Sequence, residues 1–309
     1  MGRYVARRLL QMIPVFIGST VLIFCMMYAL PGDPVRSLLG EKSFDPAQIA
    51  RMKHDLGLDL PLWHQYWNYL TGLFQGDFGT QIASGRPVAE VITDALPVTI
   101  QLTLYSFAIV VVVGILLGLI GGLRADTWLD RVLLIFTMLL ISVPVFVLGY
   151  LFQYLFAFQL DWVTPTVQTN VTWGQLTLPA VVLAGLSLAY VVRLMRTSVA
   201  ENLRADYVRT AIAKGLPRRR VVGVHLMRNS LIPVVTFLGT ELGGLMAGAV
   251  VTEGIFNVHG IGNVIYQSLL HLEGSTIVGV VSLIVILYLA TSLVVDLLYA
   301  VLDPRIRYA

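Results

Sequence analysis

Asp206–Pro233 reads DYVRTAIAKGLPRRRVVGVHLMRNSLIP, a polar stretch with apolar segments long enough to cross a bilayer on both sides. It must therefore lie outside the membrane. Val208, Ala211 and Ile212 repeat at helical spacing before Gly215-Leu216-Pro217, and Val221, Val222, Val224 and Leu226 follow. Glycine ends helices in a left-handed cap, and proline is well tolerated at the first turn of the next helix. The pattern predicts two short helices joined by a sharp bend, the second opened by Arg218, Arg219 and Arg220. An amphipathic helix pair between spans needs something to pack on, so the stretch reads as a docking element. Arg218–Arg220 could also meet nucleic acid or lipid, but its place between two spans favours protein docking with some lipid attraction.

Outward from this loop, the chain is that of an integral membrane protein. Of its 309 residues 57% are hydrophobic and 13% charged, and its mean hydropathy is +0.79; a soluble domain carries about 25% charged residues. The one cysteine, Cys25, lies in an apolar run and supports neither a disulfide framework nor a cysteine metal site. A helix needs about 20 apolar residues to span a bilayer. Six segments qualify: Leu9–Leu30, Val98–Leu123, Val132–Phe158, Leu178–Met195, Leu231–Thr252 and Ile277–Leu302. The expected fold class is thus an all-α polytopic membrane protein with six transmembrane helices. Leu9–Leu30 is longer than a signal-peptide core of ~7–15 residues and reads as a retained first span.

Basic residues orient the spans. Arg3, Arg7 and Arg8 precede the first, Arg124 and Arg131 follow the second, nine Lys and Arg lie between residues 193 and 228, and Arg305 and Arg307 end the chain. Only Arg36, Lys42, Arg51, Lys53 and Arg86 lie in the long first connection. Both termini and the central loop are therefore expected to be cytoplasmic. The first connection would then be extracytoplasmic, with Trp63, Tyr66, Trp67 and Tyr69 suited to packing and to the lipid–water boundary.

The central loop also resembles the "EAA" loop of ABC-importer permeases, with Ala211 and Gly215 at matching positions. The wording DYVRTAxAKG…H…RNxLIPV is similar to the oligopeptide/dipeptide (and nickel) branch, and the resemblance extends along nearly the whole chain. It implies the type I importer transmembrane domain (MetI-like): residues 1–97 as a first helix plus extracytoplasmic segment, and 98–309 as a five-helix core with the coupling loop at 201–229. It further implies a permease for di- or oligopeptides in a bacterial plasma membrane, with four kinds of partner: a second homologous permease forming a heterodimer, one or two ABC ATPase subunits, an extracytoplasmic substrate-binding protein, and the bilayer. Ala211, Gly215, Leu216, Pro217, Arg218, Arg219, Arg220, Val221 and Val222 would couple to the ATPase. A nickel complex or haem-like ligand stays open as substrate, and so does a secondary transporter driven by an ion gradient.

The chain has no Gly-x-x-x-x-Gly-Lys-Ser/Thr phosphate loop, no Gly-x-Ser-x-Gly elbow and no His-Glu-x-x-His. It is expected to be non-catalytic and without its own cofactor, ATP and Mg being bound by the partner ATPases. Glu241, near the middle of the fifth span, is either a pathway residue that meets a cationic part of a substrate or a structural carboxyl. Glu253, at the outer end of that span, is a candidate for an outer gate. Asp296 is expected at a depth where Arg193 or Arg196 can pair with it. Glycines four apart, Gly114/Gly118/Gly122 and Gly239/Gly243, fit either internal helix packing or a face toward a second permease. Pro14 and Pro144 each mark a candidate kink.

Cysteines placed at Gly85 and Ser275 should react with an impermeant thiol reagent from outside intact cells, whereas Arg219→Cys should not. Labelling of Arg219→Cys would reverse the orientation.

Overall fold

The computed structural model describes residues 2–29, 46–55, 57–81, 84–168, 171–271 and 273–302. Helices dominate: α1 Gly2–Ala29, α2 Pro46–Asp55, α3 Leu62–Phe74, α4 Val88–Leu123, α5 Trp128–Ser142, α6 Val145–Gln159, α7 Trp173–Asn202, α8 Asp206–Ala213, α9 Arg218–Phe256, α10 Ile261–Leu270 and α11 Gly274–Leu302. By contacts they group into two compact units, Met1–Thr99 with His259–Ala309, and Ile100–Val258.

Five helices are long and apolar enough to cross a membrane: α1, α4, α7, α9 and α11. The expected third span, Val132–Phe158, is instead α5 and α6, bent by 108° between them. Pro144 is the cause. It has no N–H to donate, and it forces the preceding Val143 out of the helical region, to φ −94°, ψ 124°. Pro14, by contrast, leaves α1 unbroken.

The 100–258 unit is built around α7. Its residues Val191, Met195 and Val199 are fully buried. They meet a row of missing side chains on α4, since Cβ atoms added at Gly114, Gly118 and Gly122 would come within 2.7, 2.6 and 2.6 Å of those three in turn. Added Cβ atoms at Gly118 and Gly122 would also press to 2.8 Å from the carbonyl oxygens of Val192 and Arg196. The glycines at four-residue spacing thus serve internal packing. Close backbone approach is how helices associate where lipid removes the hydrophobic drive. The pairing ascends along both helices, so α4 and α7 run the same way. The chain between them must return to the side where α4 began, which makes α5 and α6 one crossing and gives six among the described residues.

On its other side α7 packs antiparallel against α9. Ser230 Oγ donates to the Ser198 carbonyl at 3.5 Å, Tyr190 and Phe237 form a tilted ring pair with centroids 6.0 Å apart, and a Cβ at Gly248 would lie 3.4 Å from Leu183. The other unit packs α1 against α11 and α3. Tyr66 shares a hydrogen bond with Thr20 at 3.1 Å, and the Tyr69 hydroxyl is bonded to Ser282. Trp63 and Trp67 face outward, as expected of boundary aromatics, whereas Tyr66 and Tyr69 turn in against Phe24.

Gly118→Val should destabilise the folded protein by about 1–3 kcal/mol, the usual cost of forcing atoms into a close-packed contact. Gly18→Val in α1, where an added Cβ meets nothing within 4 Å, should leave the thermal unfolding midpoint in detergent nearly unchanged. Equal midpoints for the two variants would refute the α4–α7 contact.

Candidate functional site

The central loop begins with α8. Val208 and Ala211 are buried in the same core cluster as Met195 and Val199, while Tyr207, Arg209, Thr210 and Ile212 face out. The helix ends on Gly215 at φ +74°, the left-handed conformation that a side chain disfavours. Gly215 N–H donates to the Ile212 carbonyl at 2.9 Å and Leu216 N–H to the Ala211 carbonyl at 3.3 Å. These nested bonds form a Schellman cap, and Leu216 supplies its apolar contact by packing on the core. Pro217 then opens the next helix, its carbonyl accepting from Arg220 N–H at 2.8 Å.

From here the structure departs from expectation. There is no separate second short helix; Arg218–Phe256 is one continuous helix of 39 residues. Its first turns include a π-helical stretch, Val221–Leu226. Hydrogen bonding from i to i+5 brings residues five apart onto one side, and both Val221 and Leu226 are buried in the core cluster. Val222 packs against the same cluster. Val221 is therefore not part of an exposed apolar face, and Val222 is only partly exposed. The exposed apolar groups of the loop are Ile212, Tyr207 and Val224, beside the exposed Arg218, Arg219 and Arg220.

Two polar contacts at this end of α7 were not predicted. Tyr207 OH donates to Asn202 Oδ1 at 2.6 Å, and Asn202 Nδ2 donates to the Ser198 carbonyl at 2.8 Å, so α8 is tied to the last turn of α7. Arg196 holds Asp130 through two bonds, Nε to Oδ1 at 3.0 Å and a terminal nitrogen to Oδ2 at 2.6 Å. Asp130 is almost wholly buried and also accepts from Asp126 N–H at 2.9 Å. Arg196 is thus committed to the α4–α5 turn. The Asp296 side chain lies outside the described residues, as do Asp303, Pro304 and Arg305.

Glu241 lies at the midpoint of the α-helical part of α9, Met227–Phe256, where Ser187 Oγ of α7 donates to its Oε1. Glu253 is completely buried and lines no surface in this conformation. Its carbonyl accepts from Val258 N–H at 2.9 Å, while Asn257 closes the helix in the left-handed region at φ 51°. Of the histidines, His54 bonds Asp59 at 2.7 Å, and this hydrogen bond holds the Asp59 carboxyl below its ordinary range. His259 and His271 line a cavity of about 250 Å³ together with the buried Glu273.

Comparison with known proteins covers this whole arrangement. Residues 114–308 match the family described as binding-protein-dependent transport system inner membrane component, and residues 1–103 match its N-terminal companion. The dipeptide transport system permease protein DppB of Alkalihalophilus pseudofirmus is 33% identical over 99% of both chains. The glutathione transport system permease proteins GsiC of Pectobacterium atrosepticum and Escherichia coli (strain K12) are each 38% identical over the full length of both chains. With a polar helical loop set between membrane spans and this match along its length, the chain belongs to the family of binding-protein-dependent transport system inner membrane components.

Proposed function

We propose that this chain is the permease subunit of an ATP-driven importer of di- and oligopeptides and forms half of the translocation pathway. The observation that carries the reading is similarity along the full length to permeases named for dipeptide and glutathione transport, both small peptides. In this reading the chain performs no catalysis. Separate ATPase subunits bind ATP and Mg and hydrolyse it, a second homologous permease completes the pathway, and an extracytoplasmic binding protein delivers substrate. The distribution of basic residues puts both termini and the loop around Gly215 on the cytoplasmic side of a bacterial inner membrane. A nickel or haem-like substrate and a secondary transporter find no support in the names of these relatives.

Coupling to the ATPase is assigned to α8 and its Gly215 cap. Ile212 is 61% exposed, a large apolar side chain on a polar loop. Arg209, Lys214 and Arg218–Arg220 surround it in sequence. An apolar spot ringed by cations suits a cleft with an apolar floor and an acidic rim. ATP binding would draw the ATPases together and carry α8 with them. The Tyr207–Asn202 bond would pass that movement to α7. The energy transmitted is limited to the difference between the two pathway states.

Uptake of a labelled dipeptide into vesicles holding the complete complex should require ATP. Transport that survives ATP depletion and follows an ion gradient would overturn the reading.

Ile212→Asp should insert and fold normally, yet lower both uptake and the ATPase response to loaded binding protein at least about tenfold, since truncating or charging a central interface anchor typically costs that much. Val221→Asp should instead fail to fold, because it places a charge inside the chain's own core. Full uptake by Ile212→Asp would remove α8 from the coupling interface.

A further inference from the structure

We propose that the centre of α9 is a recognition point for ammonium groups, where Glu241, seated on Ser187, holds the N-terminal ammonium of a peptide as it crosses the midplane. The ligand rests on the peptide-permease reading above; the pathway position does not.

The placement comes first. Ser187 and Glu241 both stand at the midpoints of 30-residue helical stretches, Trp173–Asn202 and Met227–Phe256. They are also central in the apolar runs Leu178–Met195 and Leu231–Thr252, at ~1.5 Å per residue about 12–17 Å of helix from either end, which is where a spanning helix is deepest. A carboxyl group at that depth is not placed against lipid; it faces a partner or water.

The exposed surface of α9 agrees. Lipid favours large apolar side chains such as those exposed on α1 (Leu10, Ile13, Leu22) and on α5 (Ile135, Met138, Leu139). Between residues 236 and 248, around Glu241, α9 exposes Thr236, Thr240, Gly244, Ala247 and Gly248, which are small or hydroxyl-bearing, and its exposed large apolar groups, Ile232, Val235 and Val251 among them, lie outside that interval. Such a face gains little from lipid and leaves room for a solute. The carboxylate reaches onto it: a Cβ built at Gly244 would have the Glu241 carboxyl atoms as its nearest neighbours, at 3.9–4.0 Å. Glycine at 244 keeps that side of the carboxylate open.

The remaining groups match the ligand. Ser187 is itself 4% exposed and spends its hydroxyl on Oε1. Among the described residues no other hydrogen bond to this carboxylate occurs, which leaves Oε2 to accept from a donor in the pathway. One turn away along both helices, Tyr190 and Phe237 form a tilted ring pair, with Tyr190 47% exposed. A carboxylate next to aromatic faces is a combination that attracts ammonium ions. Small peptides carry one.

The test uses the complete complex with its partner subunits in vesicles, in a Cys25→Ser background. Thr240→Cys and Gly244→Cys are exposed separately to a cationic and an anionic methanethiosulfonate reagent of similar size, at rest and during turnover. The cationic reagent should react about tenfold faster or more, the lower end of what a focused charge does to a local concentration. Adding Glu241→Gln should bring the ratio close to one. Met138→Cys on α5 should stay unmodified.

No modification of either cysteine in any state would overturn the pathway position. So would equal rates for the two reagents, or a preference that survives Glu241→Gln. In uptake, Glu241→Gln should raise the KM for a free dipeptide about tenfold while Glu241→Asp stays near wild type. An unchanged KM would overturn the ammonium assignment. If the wild-type complex moved no peptide, both the peptide reading and that assignment would fall, and the charge preference of labelling would still decide the pathway position.

Discussion

Backbone contact along Gly114, Gly118 and Gly122 is what allows α7 to occupy the centre of the 100–258 unit. In lipid, burying an apolar side chain gains nothing over leaving it among acyl tails, so helix association depends on close contact and on hydrogen bonds. Dispersion falls off steeply with separation, and removing a Cβ from every fourth residue brings a whole helix edge within range. Once α4 and α7 are in register, the rest of the unit follows from α7. It takes α9 antiparallel on one side, and it receives the bent α5–α6 pair through Gly185, where an added Cβ would meet Leu148 at 3.2 Å.

The same helix carries the main polar contacts of the unit. At mid-depth Ser187 meets Glu241, and near the loop end Arg196 clamps Asp130. In the last turn Asn202 takes the Tyr207 hydroxyl from α8. Burying the Asp130 carboxylate is costly, and the two-pronged guanidinium contact offsets that cost only in one geometry. Such a pair therefore fixes the α4–α5 turn against α7 more than it adds stability. The Tyr207–Asn202 bond has the opposite character, being short and near the surface. A displacement of α8 must either break it or move the end of α7, so the loop and the membrane helix carrying Ser187 are mechanically joined.

The Val221–Leu226 stretch illustrates how a correct local reading can miss which side chains are buried. The break at Gly215-Leu216-Pro217, the left-handed glycine and the helix reopening after proline were all legible, because each depends only on neighbouring residues. Which apolar side chains stay exposed was not legible. One π-helical turn changes which residues share a side, and with it Val221 and Leu226 turn inward while Ile212 of α8 remains outside. Nor was the Arg196–Asp130 pair legible, since 66 residues separate its members in the chain.

By itself the sequence determined the membrane class, the six crossings, the loop with its cap and the family, because hydropathy runs, cap chemistry and motif wording are carried by residues close together in the chain. It also marked Glu241 as a group needing explanation, since a carboxyl in an apolar run is conspicuous without any coordinates. Only the tertiary structure decided which glycines face α7, that Pro144 bends the third crossing by 108°, that α11 packs on α1, and that Ser187 seats Glu241. The physical reason is common to all four. Inside a bilayer nearly every residue is apolar, so hydrophobicity does not distinguish a face turned to lipid from one turned to protein. That distinction is made by close fit and by single hydrogen bonds between residues far apart in the chain.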